Sequence, residues 1–155
     1  MHSYYEKAVD SIREKLRSAV CNKINTLELS TYAYLGKGVT NVYSQIWLSS
    51  DALHKNNVQF GIESFSGKGN NNGRIFIGIL DQKNNYVTLR DGDYRLSSYW
   101  PLVSDIKTPS NNPLNLNSTK TLEKLSTDSD YFNELVNSIS NQIKDFVNTY
   151  YTLFE

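Results

Sequence analysis

Tyr5, Val9, Ile12, Leu16, Val20, Ile24 and Leu27 recur three or four residues apart, so the chain opens on a predicted amphipathic helix. Ser3 with Glu6 three residues on forms a capping box, and charged residues such as Arg13, Glu14 and Lys15 fill the opposite face. From Ser30-Thr-Tyr32 the pattern becomes β-favouring. Val42–Leu48 predicts a strand with Val42, Ile46 and Leu48 on one face and Tyr43 and Trp47 on the other. Val58–Glu63 alternates apolar and polar side chains, whereas Ile75–Leu80 is apolar on both faces. With the loop Gly67–Gly73 between them, these two runs read as a hairpin whose second strand is covered on both sides.

Tyr86–Arg90 predicts one more short strand, between turn sequences at Asp81–Asn85 and Asp91–Asp93. Pro101 makes Tyr99–Val103 unsuited to a central strand. Thr121–Leu125 reads as a helical turn, and Asp128 or Asp130 caps a long last helix. Its stripe is Phe132, Leu135, Ile139, Ile143, Phe146, Tyr150 and Phe154. The expected architecture is α+β: an antiparallel meander of about four strands packed with long N-terminal and C-terminal helices, in one domain over residues 1–155. In the rival arrangement the last helix carries Phe146, Tyr150 and Phe154 past the sheet to a protein partner or a second copy.

The chain's 155 residues suffice for a sizeable core without staples. Sixteen basic residues balance sixteen acidic ones, so the overall field favours neither nucleic acid nor a membrane surface. Cys21 is the sole cysteine, which excludes an intramolecular disulfide and fits a small buried side chain on the first helix. No apolar leader core and no membrane-length apolar run occurs, so the expectation is a soluble protein of the cytoplasm, in a bacterium or a host-cell interior.

The chemistry-bearing patterns are sparse. Asp93, Asp105 and Lys107 fall in the order of a PD-(D/E)XK nuclease signature, in which two acids hold Mg²⁺ and a lysine polarises the attacking water. The competing reading is solvated loop charge, and Asp81-Gln-Lys83 repeats the short pattern elsewhere. Gly67–Arg74 looks like a phosphate cradle but leads into a strand, not a helix. It therefore reads as a flexible hairpin loop whose Lys68 and Arg74 can touch a phosphate backbone or an acidic partner. Asp91-Gly-Asp93 lacks the later acids of a calcium loop, and His2 and His54 have no ligand-spaced neighbours, so neither metal nor cofactor is expected. Eleven tyrosines and two tryptophans make the aromatics worth weighing. Tyr43, Trp47, Tyr86, Tyr94, Arg95, Tyr99 and Trp100 would make a stacking face for single-stranded nucleic acid, or else Trp47 and Trp100 anchor the core.

One wider pattern combines the Tyr43–Leu48 strand, Val58–Phe65 with Glu63, Arg74-Ile-Phe-Ile-Gly-Ile79, Tyr99-Trp-Pro101, Asn115-Leu-Asn-Ser ahead of Thr121–Leu125, and the helix Phe132–Phe146. Together they resemble the C-terminal accessory region of a PD-(D/E)XK nuclease-superfamily group found in bacteria and mobile elements. In that group the nuclease residues lie upstream of this region, so the resemblance implies an accessory module without its catalytic core. It carries over no catalytic residue and counts against Asp93, Asp105 and Lys107 as a metal site. The leading expectation is a non-enzymatic interaction module, of phage or mobile-element type, that binds and inhibits a host or defence protein. A compact Mg²⁺-dependent nuclease and a single-strand nucleic-acid binder are the alternatives.

Overall fold

A computed structural model describes residues 3–155. Helix α1 spans Tyr4–Ile24, with the Ser3 side chain accepting a hydrogen bond from the Glu6 amide as the capping box predicts. Strands β1 (Tyr32–Leu35), β2 (Gln45–Ser49), β3 (Gln59–Glu63), β4 (Phe76–Leu80) and β5 (Leu102–Asp105) follow. Helix α2 (Asp51–Lys55) sits between β2 and β3, and α3 (Thr119–Thr127) and α4 (Ser129–Tyr150) close the chain. The five strands form one antiparallel sheet in chain order, so the fold is α+β with terminal helices on a meander.

The strand set differs from the expected one at both ends. Tyr32–Leu35 pairs with β2 as an edge strand, and Leu102–Asp105 pairs with β4. Pro101 stands just ahead of β5, where its missing N–H costs no ladder bond. Tyr86–Arg90 is not a strand, because the position beside β4 is already taken by β5. Between β2 and β3 the chain makes the short helix α2, capped by the Ser50 hydroxyl on the Leu53 amide.

Both terminal helices lie on the same face of the sheet and pack on each other. Leu16, Val20 and Ile24 of α1 and Leu135, Ile139, Ile143 and Phe146 of α4 share one core with Ile46, Leu48, Phe60, Ile62, Ile77, Ile79 and Leu102. Cys21 is buried there, and burial pushes its thiol pKa up, with Arg17 as a smaller opposing influence. Arg17 is itself buried. It donates to the Glu14 carboxylate and to the carbonyl oxygen of Gln45 at 2.8 Å, which fixes α1 to the β1–β2 turn.

The second face of β4 is therefore not covered by a helix. A separate small core of Phe76, Trp100 and Val103 covers it, with Trp47, Leu80, Tyr94 and Leu96 alongside. The register explains how. Tyr34, Trp47, Gly61, Gly78 and Val103 form one cross-strand row on this helix-free face. The two glycines leave a trough that the indoles fill. A Cβ at Gly61 would lie 2.6 Å from Trp47 Cζ3 and 2.9 Å from Trp100 Cη2; one at Gly78 would lie 3.1 Å from Trp100 Cε3. The two indoles are nearly parallel, 6.2 Å apart at an interplanar angle of 7°, and Phe76 meets Trp100 edge-on at 5.0 Å.

Candidate interaction face

The residues expected to carry nuclease chemistry do share a groove. Asp93, Asp105 and Lys107 line a depression of about 330 Å³ with Arg90, Gln142 and Asp145. The two carboxylates are committed elsewhere. Asp93 accepts from Arg90 Nε at 2.9 Å, from Arg90 Nη2 at 3.3 Å and from the Tyr150 hydroxyl at 2.5 Å, all on the helix side. Asp105 accepts from the Tyr94 hydroxyl at 2.6 Å and from Asn71 Nδ2 at 2.8 Å, on the helix-free side. Lys107 is held through its backbone, which exchanges two hydrogen bonds with the Gln142 side chain. Burial, then donation to Asp105, raises the Tyr94 pKa to about 12; burial, then donation to Asp93, raises that of Tyr150. Both phenols thus stay protonated donors, and the two carboxylates act as struts bonded to different layers. Among the described residues no three His, Cys, Asp or Glu side chains are placed to share a metal ion. His2 lies outside the described residues, and His54 is exposed.

The glycine–asparagine loop is closely bonded, contrary to the expectation of a flexible connection. Asn70 Nδ2 donates to Glu63 Oε1 at 3.0 Å, Asn71 Nδ2 to Asp105, and the Ser66 hydroxyl to the Val42 carbonyl at 2.8 Å. At Gly73 a Cβ would meet the Gly67 carbonyl oxygen at 2.3 Å, so the loop closes on its own backbone. Arg74 is folded onto Asn71, with Nη2 donating to Asn71 Oδ1 at 2.9 Å, while Lys68 is exposed. Tyr43 is exposed beside Gly69 at this end of the sheet.

Glu63 is nearly inaccessible at 2 % exposure, on the helix-free face between Gln45 and Phe76. Burial raises its pKa, with the Asn70 hydrogen bond opposing. A raised native pKa means that the folded chain holds a proton the unfolded chain has released. The resulting penalty is absent below the unfolded value and grows as pH rises through the folded one. Glu63→Gln should therefore be more stable than wild type at neutral pH, with the advantage vanishing below about pH 4 in urea titrations. A difference independent of pH would contradict this.

The binding residues expected on the last helix are inside the protein. Phe146 and Tyr150 have no exposed surface and Phe154 has 8 %. Phe60 of β3 meets Phe146 and Phe154 edge-on at 5.7 and 5.8 Å. The stripe of α4 is spent on its own sheet, and none of these three side chains is open to a partner or a second copy. Trp100, at 3 % exposure, is likewise a core anchor. Tyr86 belongs to the helix side, against Phe154 and bonded to Asp81, so it does not share a face with Trp47. Arg95 is exposed and bonds Asn85.

Open aromatics remain on the β1–β2 half of the helix-free face. Tyr32 and Tyr34 are 59 % and 39 % exposed, their rings 6.1 Å apart, and half-buried Trp47 lies opposite Tyr34. The Gln59 amide donates to the Tyr34 hydroxyl at 2.5 Å. Tyr99 is exposed next to Trp100 in the segment that covers the other half. By register, the remaining strand positions on this face are Gln45, Ser49, Gln59, Glu63, Phe76, Leu80 and Asp105. None is Lys or Arg, and two are acidic. Sequence reasoning missed Tyr32 and Tyr34; their alternation with Ala33 was the available signal.

Among the described residues, no helix is long and apolar enough to cross a membrane. The likeness to the nuclease-superfamily accessory region rests on the sequence pattern alone, for the chain matches no family model, no curated protein and no solved structure.

Proposed function

We propose that this chain is a non-enzymatic protein-interaction module that docks through the open β1–β2 half of its helix-free sheet face. The exposed pair Tyr32–Tyr34 beside Trp47 carries this reading. Tyrosine and tryptophan combine a large apolar area with a polar tip and few rotatable bonds, which suits protein interfaces. A single-strand binder needs lysine or arginine interleaved with its aromatics to follow the phosphates, and none of the strand positions of this face is either. The engagement of Asp93 and Asp105 by separate tyrosines weighs against the nuclease reading. A module of this kind acts by covering a partner's surface, as an inhibitor of a host or defence protein does.

The test is a comparative capture experiment. Wild type and Lys144→Ala, altered on the exposed side of α4, should retain the same stoichiometric protein from lysate. The double variant Tyr32→Ser/Tyr34→Ser should lose it while keeping its circular dichroism spectrum. Retention by the double variant, or steeply salt-dependent oligonucleotide binding by the wild type, would reject the proposal.

A further inference from the structure

The two edges of the sheet are closed by different means. At β5, the backbone of Tyr94 exchanges hydrogen bonds with Val103, N–H to O at 3.0 Å and 2.8 Å, so a piece of chain lies along that edge. At β1 the outer edge carries a side chain. Asn25, the C-cap of α1, donates from Nδ2 to the Ala33 carbonyl oxygen at 2.8 Å and accepts at Oδ1 from the Ala33 N–H at 2.8 Å. A carboxamide presents the donor and acceptor of one peptide unit, and here it occupies both outward groups of the second residue of the strand.

The parity of the strand makes Ala33 the decisive position. The Gly36 N–H bonds inward to Gln45, so Tyr34 and Tyr32 also direct their backbone groups toward β2, while Ala33 and Leu35 direct theirs outward. Two copies of β1 related by a two-fold axis at Ala33 would exchange the same pair of bonds that Asn25 now supplies. Tyr32 of each copy would then stand opposite Tyr34 of the other, on one face, giving aromatic cross-strand pairs. Exposed edges with apolar side chains are templates for such pairing, and native proteins blunt them.

We infer that the outer edge of β1 is a strand-pairing surface for a second copy of this chain, held closed by the Asn25 side-chain amide. Asn25 is exposed at the C-cap of α1, directly after the core residue Ile24, so its side chain is the part that turns away from the edge. The inference is independent of the partner-binding reading, because it concerns backbone groups and needs no lysate component.

The experiment uses the full chain. In sedimentation equilibrium, Asn25→Ala should shift with concentration toward twice the wild-type mass. Its Ala33 amide should exchange about fivefold faster than wild type when dilute, the factor expected for one lost hydrogen bond, and become protected as dimer accumulates. Wild-type mass at all concentrations with a fast Ala33 amide would overturn the inference, as would association that leaves Ala33 unprotected. Asn25→Asp keeps an acceptor for the Ala33 N–H but loses the donor and sets a carboxylate oxygen against the Ala33 carbonyl oxygen. It should associate more than wild type, and if Asn25→Ala does not fold, the absence of association in Asn25→Asp overturns the inference by itself.

Discussion

Phe60→Ala is expected to lower the unfolding free energy by about 3–5 kcal/mol. Phe60 has no exposed surface, and it is the side chain through which the sheet grips the end of the chain, with Phe146 and Phe154 both packed edge-on against it. On either side in the register stand Leu48 and Ile79, both fully buried, so neither can swing into the vacated volume without exposing its own site. The loss would take a large share of the total stability of a domain this size, roughly 5–15 kcal/mol. Urea unfolding followed by far-ultraviolet circular dichroism checks it: the midpoint should fall while the slope stays constant. A loss under about 1 kcal/mol would mean that the last turn is not docked on β3.

Trp100→Ala should cost about 3 kcal/mol or more, although it lies outside the main core. Its floor is Gly61 and Gly78, which have no side chains to relax into the space, and Phe76 meets it from the edge. The cavity would stay open or fill with water, and Trp47 would lose its parallel neighbour. The near-ultraviolet circular dichroism signal of the coupled indoles should collapse along with the urea midpoint. A residue serving only to stack on a ligand would change stability by no more than about 0.5 kcal/mol, so the same measurement separates a structural anchor from a binding platform.

The periodic parts of this fold were readable from the residues because one repeat determines each. The i, i+3, i+4 spacing of Leu16, Val20 and Ile24 and of Phe132 to Tyr150 marks helices whatever they pack on. Alternation likewise marks Val58–Glu63. Periodicity shows that a face is apolar but not what covers it. That is why Phe146, Tyr150 and Phe154 read as a partner surface and are in fact buried, Phe146 and Phe154 against Phe60 and Tyr150 against Phe146. It is also why Ile75–Leu80 read as a strand covered on both sides without showing by what, when the second cover is a loop carrying Trp100.

Short edge elements were the least legible. Tyr32–Leu35 has too few residues for its alternation to stand out, and Pro101 disguised the start of β5. Tyr86–Arg90 has strand composition, yet a strand exists only with a neighbour, and the sheet has none to give it. The candidate face was hidden for a related reason. That Trp47, Gly61 and Gly78 stand in one row depends on register, which joins residues far apart in sequence. Asp93 and Asp105 have nuclease-like order along the chain, but their bonding partners come from opposite sides of the sheet.

The connection from β4 to β5, residues 81–101, does more than return the chain. It begins on the helix side, where Tyr86 lies against Phe154, the Leu89 N–H donates to the Tyr150 hydroxyl, and Asp93 accepts from the same hydroxyl. It then rounds the β5 edge at Tyr94 and ends by laying Trp100 on the two glycines. One continuous segment is thus bolted to both layers, so α4 cannot lift without pulling on the indole, nor the indole without loosening Tyr150. Two cores too unequal to share a fate by size are joined by the path of the chain between them, and are expected to melt in one transition.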